Sequence, residues 1–472
     1  MSQVPFISPD NGLALLAFKI GQNQFDLNRG LAYISMRDQV IRARTLVHSV
    51  LSAGIFERRT AESDRQVDVD VLIVGAGVGG VSVALAAAEV GLRTLVVEKE
   101  SECFSLLHKG TNRLLSTTLY DWPARHFNRH AFPDIPCTEE RILKDASVLR
   151  FLAKPCPAQE IADHLNQQVA NFRTKYSNNL HIECDFEISS GDDITWAGRR
   201  ALKIDLGREI SLFKEKKSSV YARIVVYAIG FGSEKALTKV DDVRDSFWGY
   251  ESIENDLGKI VNSPARVCVI GAGDGGLQEI LRVILSPNEY HDFANTISEL
   301  ESVIGEDREW SDGLKSILFA EDNAARALMW GYRPDLIFPR VQAVHEEVIK
   351  TLLDKKNLAR RAAVIAWRDK VCRHQDIHVT LYDSLPISNR VYALNRFLFE
   401  LLSTLSKDSP GTIKIHRSME DWELAKNTAN ANLVIDRRGV SPIDNMYGTS
   451  EKEDWLRRMM FRALPNHYSM VA

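Results

Sequence analysis

Paired cysteines are missing from this chain. Its six cysteines, Cys103, Cys137, Cys156, Cys184, Cys268 and Cys372, are scattered, with no CxxC or CxxxxC spacing among them. That argues against a disulfide framework, a zinc site and a dithiol redox centre alike, and no metal ligand is expected. Long apolar runs are missing too, since no stretch reaches the roughly 18 residues that a bilayer-spanning helix needs. The N-terminus shows no basic stretch followed by an apolar core and a cleavage site, so a reducing, cytoplasmic setting is the expectation. Charge of one sign is also not in excess. Lys and Arg number 59 against 63 Asp and Glu, a net charge of −4, which gives no reason to expect nucleic acid or an anionic membrane as a partner. What is present is ordinary globular material: 472 residues, 45% hydrophobic and 26% charged, enough for two or three domains with sizeable cores.

The most informative stretch is VDVDVLIVGAGVGGVSVALAAAEVGLRTLVVEKE, residues 67–100. Val69, Val71, Leu72, Ile73 and Val74 form an apolar, β-branched run suited to a buried parallel strand. The glycines Gly75, Gly77, Gly79 and Gly80 follow at once, then an alanine-rich helix and a second apolar run ending in Glu98 and Lys99. Each residue type has a physical reason. Gly75 permits the tight turn out of the strand, Gly77 lets the backbone approach a pyrophosphate, and Gly80 lets helix and strand pack closely. The helix N-terminus supplies N–H groups and a positive dipole end, and an acid about 20 residues on can take ribose hydroxyls.

This segment resembles the FAD-binding fingerprint of the two-dinucleotide-domain flavoproteins, the group that includes thioredoxin reductases and flavin monooxygenases. The resemblance implies that Glu98 holds the ribose of the FAD adenosine. It extends to Ala228-Ile229-Gly230, which is similar to the strand-to-turn motif with which that superfamily closes its FAD domain, although Ile229 replaces the usual threonine. A second fingerprint, RVCVIGAGDGGLQEILRVIL from Arg266, repeats the spacing at Gly271, Gly273 and Gly276. It is similar to the nicotinamide-binding loop of thioredoxin-reductase-like proteins, in which an aspartate often follows the second glycine, as Asp274 does here.

The expected fold is therefore α/β, with two Rossmann-like dinucleotide-binding domains. Residues 1–66 read as a helical N-terminal extension and 67–262 as the FAD domain with a small antiparallel insertion. Residues 263–447 read as the NAD(P) domain, interrupted by a helical insertion at about 285–375, and 448–472 as a C-terminal helix or tail. Within the insertion the clearest helical segments are 314–330 and 341–371. Only after it does IHVTLYD supply a strand ending in an acid, Asp383, where a ribose-binding aspartate would fall; the alternative is that Asp383 caps the following turn. An acid there favours NADH by repelling a 2′-phosphate, while Arg390, further on, leaves NADPH open.

Between Glu98 and His130 lie many groups able to face a flavin or substrate. Arg113, Tyr120 and Trp122 are expected near the cofactor, the alternative being a solvated basic loop whose aromatics plug the core. His108 and His126 are candidate general acids or bases. The missing cysteine pair removes the usual relay of a disulfide reductase, and the FxGxxxH signature of flavin and Baeyer–Villiger monooxygenases is absent between the two fingerprints. The expected function is an FAD-dependent oxidoreductase in which NAD(P)H reduces the flavin, which then reduces or oxygenates, for example N-hydroxylates, a small organic substrate. Two alternatives stay open: an FAD oxidase or dehydrogenase whose second Rossmann unit binds no nucleotide, and a flavin- or nucleotide-binding sensor without turnover. The N-terminal extension and helical insertion could carry a subunit or protein contact.

Overall fold

The computed structural model describes residues 15, 18–27, 36–53, 67–110, 113–115, 122, 147–152, 155–188, 194–196, 201–230, 243–244, 247–248, 253–260, 264–305, 316–318, 338–383, 387, 391–408, 413–420, 424 and 428–438. Tyr120, His126, Arg390, most of the expected helix 314–330 and the expected C-terminal helix lie outside them.

The chain begins with a hairpin of β1 (Lys19–Gly21) and β2 (Gln24–Asp26), followed by α1 (Met36–Ser52). Next come β3 (Val69–Val74), α2 (Val78–Glu89), β4 (Thr94–Val97) and the short α3 (Ser105–Lys109). A two-residue ladder joins β5 (Leu114–Leu115) to β6 (Cys156–Pro157). The unit is completed by α4 (Ala158–Lys175), β7 (Leu180–Glu183), β8 (Ile194–Trp196), β9 (Leu202–Leu212) and β10 (Glu215–Tyr227).

The main sheet has the order β1-β2-β10-β3-β4-β7, with β8 and β9 paired antiparallel off β10. All six residues of β3 are buried, Asp70 among them, which is why the strand reads as a mostly apolar run instead of an alternating one. Helix α2 is buried from Val78 through Ala88. Its alanines keep it thin enough to sit between the sheet and α1.

The extension is more than helical, and this corrects the expectation for residues 1–66. Strand β2 adds to the sheet in parallel with β10, pairing Phe25 with Val226. Phe18, Phe25 and Leu27 are 0–1% exposed, in the same core as α1 and α2. Arg42 of α1 is buried too and holds the hairpin's exit, donating from Nε (3.2 Å) and a terminal nitrogen (2.5 Å) to the Leu27 carbonyl. A three-residue strand carries almost no periodic signal, so only tertiary pairing reveals it.

The second unit runs through β11 (Val243–Arg244), α5 (Ile253–Lys259), β12 (Ala265–Ile270) and α6 (Asp274–Ile284). Helices α7 (Pro287–His291), α8 (Phe293–Gly305), α9 (Phe338–Leu352) and α10 (Leu358–Val371) form the insertion. Then follow β13 (Ile377–Tyr382), α11 (Ala393–Asp408), β14 (Ile413–Ser418) and β15 (Leu433–Asp436). The sheet is parallel throughout, in the order β11-β15-β12-β13-β14.

The insertion leaves and returns at one point. Leu285 pairs with Cys372, the Ser286 N–H donates to Val371 O, and the Arg373 N–H donates to Ile284 O, both at 2.9 Å. Stitched this way, the block leaves β12 and β13 adjacent, as they would be without it. Its apolar residues, among them Phe293, Ile297, Leu300 and Trp367, share one core with Leu277 and Ile280 of α6. The expected helical segment 341–371 is made of two helices, divided near Asn357, whose side chain accepts from the Arg360 N–H (3.1 Å) and caps α10.

Candidate functional site

Two turns built on one plan leave the C-terminal ends of β3 and β12. At the first, Gly75 has φ +101°, and a side chain there would meet Ala228 O at 2.6 Å. At the second, Gly271 has φ +104° and would meet Arg437 O at 2.2 Å. Only glycine accommodates both the left-handed backbone and the chain crossing above it. The crossing chain is the return strand in each case. The Ala228 N–H donates to Val74 O (2.8 Å), and the Arg437 N–H donates to Ile270 O (2.6 Å). Helix and strand then close up, because a β-carbon on Gly80 would lie 1.9 Å from Gly75 O and one on Gly276 1.8 Å from Gly271 O.

The acids obey the same plan. Register pairs Val74 with Val97 and Ile270 with Tyr382, so Glu98 and Asp383 each stand one residue past the strand end. Glu98 Oε2 accepts the Ala76 N–H, and Asp383 Oδ2 accepts the Ala272 N–H, each at 2.6 Å. Asp383 thus occupies in the second unit the place Glu98 occupies in the first. Gly77 and Gly273, the residues that precede α2 and α6, both face open space where a β-carbon would point. Two helix N-termini therefore present backbone N–H groups on faces that no described residue covers, a geometry suited to phosphate.

The other expected cofactor residues differ in their surroundings. Gly79 faces the N-terminal segment, where a β-carbon would lie 2.5 Å from Gln39 Oε1 and 2.6 Å from Leu27, so its smallness serves packing against α1 and β2. Lys99 is exposed. Gly230 has φ +81° with open space around it. Asp274 opens α6, but its carboxylate turns aside to accept from the Tyr392 N–H (2.7 Å) and the Asn395 amide (2.9 Å), tying α6 to the start of α11.

Trp122 and Arg113 are both buried. Trp122 is 2% exposed within the second unit's core, its ring 4.9 Å from that of Phe397. Arg113 is buried as well. It donates to the Phe247 carbonyl, stacks 4.2 Å over the Phe247 ring and pairs with Glu279 of α6. Glu279 is fully buried and is shared with Arg437 (2.9 Å) and, more distantly, with Arg282 (3.6 Å), which is itself held by Glu254. Burial pushes the Glu279 pKa up, but the charges of Arg113, Arg437 and Arg282 outweigh it, and the net shift is downward. This cluster joins the two units and has no signature in the sequence, where Glu279 looks like an ordinary helix-surface acid.

His108, on the last turn of α3, is half-buried between two carboxylates and the amide nitrogen of Gln159. Nδ1 bonds Glu102, and Nε2 lies 3.3 Å from the Gln159 amide and 3.7 Å from Asp163. The Glu102 hydrogen bond raises its pKa. Cys103 and Cys184 are free thiols of one core, the first buried and the second half-buried against it. Among the described residues no cluster of His, Cys, Asp and Glu could hold a metal, and no helix is long and apolar enough to cross a membrane.

Residues 69–282 match the family model described as pyridine nucleotide-disulphide oxidoreductase. No curated protein matches the chain. Among solved structures it is similar to a bacillithiol disulfide reductase from Bacillus cereus, at 12% identity over 74% of this chain and 67% of that one (TM-score 0.31). It is also similar to a flavin-containing monooxygenase from Stenotrophomonas maltophilia, at 16% identity over 45% of this chain and 54% of that one (TM-score 0.28). A third is the thioredoxin reductase of T. acidophilum, at 19% identity over 44% of this chain and 50% of that one (TM-score 0.24). The chain spans about half the length of the last two.

Proposed function

We propose that this chain is an oxidoreductase of the FAD- and NAD(P)-dependent superfamily, a reading supported by the family match over residues 69–282, and that it binds FAD on its first unit and NADH on its second and uses them to reduce or oxygenate a small organic substrate. The observation that carries this reading is the repeated device of glycine turn, crossing return strand and acid bound to the turn's own amide. The two sites fit the dinucleotides in kind. The open faces at Gly77 and Gly273 leave room for a pyrophosphate that a β-carbon would fill.

On this reading Gly77 and the N-terminus of α2 hold the FAD pyrophosphate, Glu98 its ribose, and Gly230 the near approach of the return turn. Gly273, the N-terminus of α6 and Asp383 do the same for the nicotinamide dinucleotide. Each carboxylate can accept a ribose hydroxyl as well as the backbone amide, since its two oxygens offer about four acceptor sites. The negative charge of Asp383 disfavours a 2′-phosphate, which selects NADH. When bound, flavin supplies a two-electron carrier and the nicotinamide supplies the reductant; the protein's part is to hold the two in line. The Arg113–Glu279 contact serves that part by fixing one unit against the other.

Purified protein reconstituted with FAD should oxidise NADH in air, with NADPH the poorer substrate. Protein that retains FAD but oxidises neither nucleotide would overturn the assignment of the second site. Protein that cannot retain FAD would overturn the first.

A further inference from the structure

We propose that Asn395 is a positioning residue of the second glycine turn, where it holds the Asp274 carboxylate away from the helix end that receives the pyrophosphate of the dinucleotide. The proposal rests on the reading of that turn as a nucleotide site and names what keeps it open to an anion. The two turns share one plan as far as the glycine that precedes the helix, and there they diverge. Gly77 is followed by Val78, 8% exposed in an apolar core, whereas Gly273 is followed by Asp274, an acid in the first turn of α6. A carboxylate at that place is drawn to the same N–H groups and dipole end that would take a phosphate. Left there, it competes with the pyrophosphate for donors and repels its charge.

In the structure a different helix takes the carboxylate. Asp274 Oδ1 accepts from the Tyr392 N–H (2.7 Å) and from the Asn395 amide (2.9 Å). Tyr392 immediately precedes α11 and Asn395 lies in its first turn, so the acid sits against the positive end of a 16-residue helix. Two helix ends can attract this one carboxylate, and α11 has it. The Asn395 side chain supplies half of the grip.

Asn395 is also unusual in what it leaves unmade. It is 0% exposed, and its Nδ2 faces a carboxylate, which only accepts. Its Oδ1 is therefore turned the other way, buried with no donor among the described residues. Buried polar atoms are nearly always hydrogen-bonded, and an orphan asks for a reason. Here the nitrogen is the atom the site uses.

The helical insertion braces the same helix. Arg396, next to Asn395 and 1% exposed, donates to Gln342 Oε1 of α9 (2.8 Å), and the Gln342 amide donates to Glu400, one turn further along α11 (2.7 Å). Helix α9 thus fixes the first half of α11, the half that carries Asn395.

The test uses full-length, FAD-loaded protein. Titration with NAD+ by isothermal calorimetry reads the second site without turnover, and steady-state NADH oxidation gives KM and kcat beside it. Asn395→Leu should raise Kd and KM roughly tenfold through the released charge and leave kcat at saturating NADH unchanged. Asp274→Asn keeps an acceptor and loses the charge, and it should bind NAD+ at least as tightly as wild type. The double variant should return to the affinity of Asp274→Asn, a rescue that a purely structural tie between α6 and α11 would not give. Asn395→Leu with wild-type affinity, a double variant as weak as Asn395→Leu, or Asp274→Asn weaker than wild type would each overturn the proposal, and the last does not depend on any Asn395 variant folding. Wild-type protein that binds neither NAD+ nor NADH would overturn the second-site assignment and this proposal with it, so the wild type alone tells the two failures apart.

Discussion

Replacing Glu279 with glutamine keeps the shape of the α6 side chain and deletes its charge. In the native protein that carboxylate, 0% exposed, is shared by Arg113, Arg437 and Arg282, which are themselves 2%, 6% and 1% exposed. Glu279→Gln takes from three buried guanidiniums the one carboxylate they have in common. Breaking a buried pair by removing one partner costs about 3–5 kcal/mol, because the remaining charge stays desolvated. Gln retains an acceptor oxygen, so the lower end, about 3 kcal/mol, is expected. The folded-state pKa of Glu279 is depressed. Its contribution is therefore present above the unfolded carboxylate range and lost as pH falls through the depressed value. Urea denaturation of wild type and Glu279→Gln across pH should show the widest gap at neutral pH, closing below about pH 4. Since Arg113 belongs to the first unit and Glu279 to the second, the variant should also unfold in two separable transitions. A neutral-pH gap under about 1 kcal/mol, or one that grows in acid, would refute this account of the cluster.

Three further outcomes follow from particular residues. Gly77→Ala should leave the apoprotein's stability within about 1 kcal/mol, because φ is −71° and a β-carbon meets open space, yet weaken FAD binding at least roughly tenfold by filling the pyrophosphate's room; fluorescence titration with FAD and a thermal melt read the two effects separately. Gly276→Ala places a β-carbon 1.8 Å from Gly271 O, so it should retain FAD while losing NADH oxidation, read as FAD content beside steady-state rate. His108→Gln should lower stability by a few tenths to about 1 kcal/mol near pH 6, as for a partly exposed ion pair. Because the histidine's folded pKa is raised, its contribution is full below the unfolded value and lost as pH rises through the folded one, so melts of the two proteins should converge at alkaline pH.

The two fingerprints are legible in the sequence because their signal is local. Strand, glycines and terminal acid lie within a few dozen residues, and each residue type answers one steric or electrostatic demand. Asp383 is legible only once the block before it is recognised as an insertion, and the stitch at Leu285 and Cys372 gives that reading its physical basis. What escapes a reading of the sequence depends on tertiary pairing. Strand β2 is three residues long and declares itself only beside β10. Gly79 has the look of a phosphate cradle residue, yet Leu27 and Gln39 set its size. Trp122 and Arg113 find partners, Phe397 and Glu279, that lie far along the chain.

The central claim is that the second glycine turn serves the first. Anaerobic titration of FAD-loaded protein with NADH, followed by visible absorption, tests it most directly. The prediction is full bleaching of the flavin band by about one equivalent of NADH, with NADPH requiring a large excess and Asp383→Ala narrowing the difference. A flavin band that stays unchanged in excess NADH and NADPH, while dithionite still bleaches it, would contradict the account.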